Sequence, residues 1–275
     1  MSLGIAFKGP EGIVLAADSR VTINAEKKIN DNHTLFLPST FDNATKLLKI
    51  NGQDYVGAVT YGLGAIGITE PRTAHSFLPE FEVALSKKTE KRISVEEFSR
   101  ELSDFFMSQW KEMMPSDYMG DPLIFLIGGY DEGAPYGKVF QVIVPNHADP
   151  QEQSAGQGVF GITWGGQYEI LTRLLSGFDP NLTLAIKDRL KLSDEQKQDL
   201  DQFLKPNFNL PIPYQFLPLQ DCVDLSIFLI RTTVELQKWM IGIRGVGGVI
   251  DVATITRTDG FRYVQRKEIK GEKND

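Results

Sequence analysis

The chain has 275 residues, 29 Lys and Arg against 36 Asp and Glu, and a net charge of −7 with no block of like charge. Its length and 41% hydrophobic content suit one large domain or two small ones. The acidic balance argues against nucleic acid, whose phosphates need a basic surface. A single cysteine, Cys222, excludes an internal disulfide or a multi-thiolate zinc site, and His33, His75 and His147 lack metal-ligand spacing. Neither a metal nor a cofactor is expected. The start has no basic or apolar signal region, and the longest apolar runs, LIFLI and VDLSIFLI, are far shorter than a membrane span. These features predict a cytosolic protein with no membrane partner.

Two apolar segments, SLGIAFK (2–8) and IVLAAD (13–18), flank GPEG and predict a hairpin with a Pro/Gly turn. Residues 26–43 are polar and read as an irregular loop. KLLKI (46–50) and YVGAVTY (55–61) predict a second hairpin around NGQD. A helix over about 73–87 follows, with a break or restart at Pro79. A stronger one begins at Ser94, where Ser94 and Glu97 fit a capping box and Phe98, Leu102, Phe105 and Phe106 recur at helical spacing. Strands are predicted at 122–130, 137–144 and 158–164, and a helix at 167–175. Residues 178–220 read as irregular, apart from a polar helix near 193–204. A long apolar helix over 221–240 precedes two closing strands, GVIDVATITR and FRYVQRK, and a disordered tail over 268–275. Grouped strands and grouped helices point to an antiparallel α+β fold.

The first hairpin carries the chemistry. Folded about Pro10, it sets Ser2 opposite Asp18, at the roughly 5 Å spacing of cross-strand neighbours. Removal of Met1 would give Ser2 a free α-amine with a reference pKa of about 8, a general base on the same residue as the nucleophilic hydroxyl. The plainer alternative is that Ser2 only begins an edge strand. In KLLKI, Lys46 shares a strand phase with Leu48 and Ile50. An ammonium in an apolar phase needs a partner, and Asp18 is the candidate. Alternatively, Lys46 opens the strand and snorkels to water. Residues 62–67, GLGAIG, match G-x-G-x-x-G after a strand, but Pro71 falls where a nucleotide-binding helix should run. Dinucleotide binding is therefore the minor reading there.

Ser2, the strand-turn-strand ending ADSR, KLLKI and GAVTYG occur in the order of the proteasome β-subunit family. The stretches FKGPEGIVLAADSRVT, KTEKRISVEEFSRELSDFF, GITWGGQYE and RGVGGVIDVATITRTDGFRYV also resemble that family. The likeness spans about 2–25, 44–142, 157–177 and 221–267, as in a divergent homologue of bacterial or archaeal type. It implies one domain over 1–275 with insertions at about 26–43 and 178–220, folded as a four-layer αββα sandwich of the N-terminal-nucleophile hydrolase superfamily. It further implies a peptidase or amide hydrolase acting on a peptide or protein, arranged as a homo-oligomeric ring, with an ATPase partner left open. The family's catalytic positions fall on Ser2, Asp18, Lys46 and Gly62, the last as oxyanion donor through its amide at a helix start, with Arg20 in support. A transpeptidase would use the same site. Where the family has Gly-Ser-Gly-Ser, this chain has Thr163-Trp164-Gly165-Gly166. Where it has Asp-x-x-Ser-Gly-Gly, Ile243 and Val246 replace the polar residues. These losses favour the competing expectation of an inactive ring or scaffold subunit.

Overall fold

The computed structural model describes residues 2–30, 33–89 and 91–271. It divides into two compact units, Met1–Gly166 with Tyr214–Asp275, and Gln167–Pro213. Within the described residues, no helix is long and apolar enough to cross a membrane.

The first unit opens with β1 (Leu3–Lys8) and β2 (Ile13–Ala17), followed by β3 (Val21–Asn30), β4 (His33–Phe41), β5 (Leu47–Lys49) and β6 (Val56–Gly62). Next come α1 (Leu78–Lys88), α2 (Val95–Met113), β7 (Leu123–Gly129), β8 (Lys138–Val144), β9 (His147–Gln153) and β10 (Gly161–Gly166). The second unit holds α3 (Glu169–Ser176), α4 (Pro180–Leu190) and α5 (Asp194–Phe208). The chain then returns to the first unit with α6 (Leu219–Gln237), β11 (Asp251–Thr256) and β12 (Gly260–Gln265). The first unit thus mixes helices with antiparallel sheets. One sheet has the order β10-β1-β2-β11-β12, another β5-β6-β7-β8-β9, and β3 pairs with β4 alone.

Every residue of β1 and β2 is buried, and this fits strands covered on both faces, which read as unbroken apolar runs. On one face Ala6, Leu15 and Ala17 meet Leu47, Val59, Tyr61 and Leu126 of the other five-stranded sheet, closing a core between the sheets. On the far side of that second sheet, α1 and α2 bury Phe81, Phe98, Leu102 and Phe106 against Phe125. Phe106 and Phe125 have ring centroids 4.7 Å apart, a separation at which aromatic pairs attract beyond simple burial. On β1, β2 and β11 lies α6, which buries Cys222, Ser226, Leu229 and Ile230.

Several segments differ from the sequence reading. The stretch 26–43 is not an irregular loop. Residues 26–30 and 33–41 belong to β3 and β4, which pair with Thr22 opposite Thr40 and Ala25 opposite Leu37, and the charged run EKK masks the strand pattern. At Pro79 the expected restart is what forms: a short 3-10 turn over Ala74–Phe77 gives way to α1, and Pro79 stands in the first turn of α1, where its missing N–H costs nothing. Only half of the capping box at Ser94 forms, with Ser94 accepting from the Glu97 amide, whereas Ser193 and Gln196 complete one at α5. The region 178–220 holds α4 as well as α5. Asp179 caps α4 through the Asn181 amide and Pro180 follows it, a start signal present in the sequence. The strand β9 carries no signal in the sequence, because HADPQEQ is a polar edge strand with no apolar alternation. Of the tail expected at 268–275, residues 272–275 lie outside the described part.

Candidate functional site around Ser2, Asp18 and Lys46

The first hairpin turns through Gly9–Gly12, with the Gly9 amide donating to the Gly12 carbonyl at 2.9 Å. Gly4 pairs with Ala17 and Lys8 with Ile13. The turn is therefore centred between Pro10 and Glu11, one half-step beyond the expected pivot at Pro10. This shift overturns the expected pairing: Asp18 faces Leu3, and its amide donates to the Leu3 carbonyl at 3.3 Å. A single added turn position suffices to move every partner by one.

Asp18 nevertheless reaches the chain start. It is 1% exposed, and its two oxygens take four donors. Oδ1 accepts from the Leu3 amide at 2.9 Å and from Lys46 Nζ at 2.6 Å. Oδ2 accepts from the Arg20 amide at 3.1 Å and the Gly247 amide at 2.9 Å. The carboxylate thus ties together β1, the turn after β2, the segment before β5 and the loop after α6. A charge so deeply buried is tolerable only with such complete pairing.

Lys46 is 5% exposed and lies one residue before β5, outside the regular strand phase. Besides Asp18 it donates to the Arg20 carbonyl at 2.5 Å. Burial pushes its ammonium below the ordinary lysine range. The Asp18 carboxylate pulls it back up, while Lys267 and Arg20 push it further down.

Ser2 is buried, and it shares a cavity of about 20 Å³ with Lys46, Thr60, Tyr61, Leu63 and Gly64 among others. That space suits about one water molecule. The Thr60 hydroxyl is buried on this wall without a partner. Tyr61 accepts from Gln141 Nε2 at 2.9 Å, and burial pushes its phenol up to about 12. The removal of Met1 concerns a residue outside the described part.

Gly62 is the last residue of β6, in a left-handed conformation at φ 85°, where a Cβ would strike the Pro122 carbonyl at 2.2 Å. No helix begins there. The loop instead closes through reciprocal Ile66–Arg72 backbone hydrogen bonds of 2.8 Å, and the next helical turn spans Ala74–Phe77. This corrects two expectations. The Gly62 amide is not at a helix start, and GLGAIG lacks the helix N-terminus that a dinucleotide pyrophosphate needs.

Arg20 forms a two-pronged pair with Asp42, Nε to Oδ1 at 2.6 Å and Nη2 to Oδ2 at 2.8 Å, and its Nη1 donates to the Arg244 carbonyl at 3.1 Å. The guanidinium holds the Asp42 carboxyl below the usual carboxylate range. Asp42 was not visible as a site residue, because it sits in the stretch read as a loop. Also unforeseen was a second buried ion pair. Lys267 bonds to Asp251, and its Nζ also donates to the Ser19 hydroxyl at 3.1 Å. Their separation in sequence gave no signal. Within the described residues, no group of three His, Cys, Asp or Glu side chains could hold a metal.

The antiparallel sheets and the flanking helices give the chain a fold that is found among solved structures. The likeness is structural. One solved structure, the (Gly-1) mutant of Anbu from Hyphomicrobium sp. strain MC1, is similar with a TM-score of 0.55 and 14% identity, over 100% of this chain and 89% of that one. No family model and no curated protein matches the chain.

Proposed function

We propose that the chain is a proteasome-type N-terminal-nucleophile amide hydrolase, with its core read as an αββα sandwich, acting in the cytosol as a homo-oligomeric ring. The observation that carries this reading is that Lys46, paired with the buried Asp18, lines the same cavity as Ser2. In this mechanism Met1 is removed and the freed Ser2 amine becomes the base. The amine takes the proton from the Ser2 hydroxyl as the oxygen attacks a peptide carbonyl. It then returns that proton to the leaving amine, and water releases the acyl group. Lys46 uses two of its N–H bonds on Asp18 and the Arg20 carbonyl, leaving one for the cavity. Its positive charge favours the neutral amine and the developing alkoxide. The Gly62 amide is the oxyanion donor in this reading, and Arg20 supports the Asp18 loop. An amine in place of water would give transpeptidation.

The second reading is a non-catalytic ring or scaffold subunit. Two observations favour it. The cavity at Ser2 is small, about 20 Å³, and Val246, in the position of a polar family residue, is 1% exposed. In that case Asp18 and Lys46 serve only to tie four segments together.

The test is intact-protein mass after native expression, followed by treatment with an electrophilic β-lactone probe. Loss of Met1 with adduct mapped to Ser2, and no adduct in Ser2→Ala, supports the hydrolase. A protein lacking Met1 that takes up no probe leaves the scaffold reading.

A further inference from the structure

A second cavity, of about 110 Å³, shares no residue with the one at Ser2. Its wall brings together Arg92 from just before α2, Tyr130 and Asp131 from just after β7, Gly133, and Arg257 from just after β11. We infer that it binds a small oxyanion, a carboxylate or a phosphate group, between the two guanidinium groups and the Tyr130 hydroxyl.

Arg92 is fixed in place. Its guanidinium carbon lies 3.8 Å from the centroid of the Tyr55 ring, and Nη2 donates to the Tyr130 carbonyl. Its Nε is nevertheless buried with no acceptor. Tyr130 is 2% exposed, and its hydroxyl also lacks a hydrogen-bond partner. The Gly137 amide lies toward that oxygen without reaching hydrogen-bond geometry, and an amide offers no acceptor for the phenol proton in any case. Two buried donors without acceptors, both on residues that line this cavity, are unusual, because such groups are nearly always satisfied. Arg257 adds an exposed positive charge with no ion-pair partner among the described residues.

The one acid on the wall does not oppose an anion strongly, because Asp131 is already engaged. Its Oδ1 accepts from the Val95 amide at 2.8 Å, capping α2, and its Oδ2 pairs with Lys138 at 2.9 Å. Gly133, at φ 73°, presents no side chain, and nothing lies within 4 Å of where a Cβ would stand, so that side of the cavity is open. A ligand completing this site must bring oxygen acceptors and negative charge together. Guanidinium groups suit both carboxylate and phosphate oxygens. The volume is well below the roughly 300 Å³ of pockets that take drug-sized ligands, which limits the occupant to one such group.

The experiment is calorimetric titration of the full chain with inorganic phosphate and, separately, with acetate, at ionic strength held constant with chloride. Saturable one-site binding is expected for at least one anion. It should weaken about tenfold or more in Arg257→Gln and in Tyr130→Phe, and stay unchanged in Ser2→Ala. Tighter phosphate binding assigns a phosphate group, and tighter acetate binding a carboxylate. Arg257 is exposed and Tyr130→Phe removes one atom, so both variants should fold, which a thermal melt checks. The inference is overturned if neither anion binds saturably, or if both variants bind as the unmodified chain does. Neither result bears on the hydrolase reading, which stands or falls on Ser2.

Discussion

Lys46 Nζ lies 2.6 Å from Asp18 Oδ1, and the two side chains are 6% and 0% exposed. They stand 28 residues apart in sequence, yet each is the main compensation for burying the other. Breaking such a pair from one side leaves an unpaired buried charge, at a cost of about 3–5 kcal/mol. Lys46→Met should lose stability on that scale in urea denaturation. Asp18→Asn combined with Lys46→Met should lose clearly less than the sum of the single changes. A loss below about 1 kcal/mol for Lys46→Met would show that the pair does not secure the fold.

Gly166 ends β10 opposite Leu3, in a left-handed conformation at φ 96°. A Cβ there would stand 1.9 Å from the Ser2 carbonyl oxygen. Gly166→Ala should therefore both strain its own backbone, by about 1–3 kcal/mol, and push the start of β1 away. Stability should fall, and amide exchange at Leu3 should quicken more than at Phe7. Uniform exchange along β1 would count against a local displacement.

Cys222 is fully buried on the inner face of α6, and burial pushes its thiol up to about 12 from an ordinary value of 9.0. The native chain should resist a thiol-specific disulfide reagent at pH 8 and react fully once unfolded, because the thiolate is the reactive form. The folded value is raised, so the folded state holds the proton more tightly. That contribution is complete below about pH 9 and is lost as pH rises toward 12. Cys222→Ala should be less stable than the unmodified chain at pH 8, with the gap narrowing above pH 9. Lys46 is depressed and shifts stability the opposite way, but it is common to both proteins and cancels in the difference.

The Arg20–Asp42 pair is well formed but partly exposed, with side chains 18% and 46% accessible. Exposed pairs contribute about 0–1 kcal/mol. Asp42→Ala should lower stability by no more than that in thermal or urea unfolding. If Arg20 supports the site only by position, probe labelling at Ser2 should slow without being abolished. Complete loss of labelling with unchanged stability would make the Arg20–Asp42 pair essential to the site.

The sequence by itself determined the elements with strong local patterns. The apolar runs of β1 and β2 had to be strands, Ser94 and the phenylalanine spacing had to start and orient α2, and the long apolar helix fell within a few residues of α6. It also pointed to Asp18 as the partner of Lys46, because a lysine beside an apolar strand needs a carboxylate. The tertiary structure alone decided the register of the first hairpin, since the turn centre fixes every partner and glycine-rich turns permit more than one. It decided that Asp42 serves Arg20, and that Lys267 meets Asp251 and Ser19, because those contacts join segments whose separation leaves no periodic trace. It also revealed the β3–β4 hairpin and β9. The alternation of Val21, Ile23 and Ala25 stops at the charged run EKK, and β9 is polar throughout, so their hydrogen bonds to neighbouring strands are what define them.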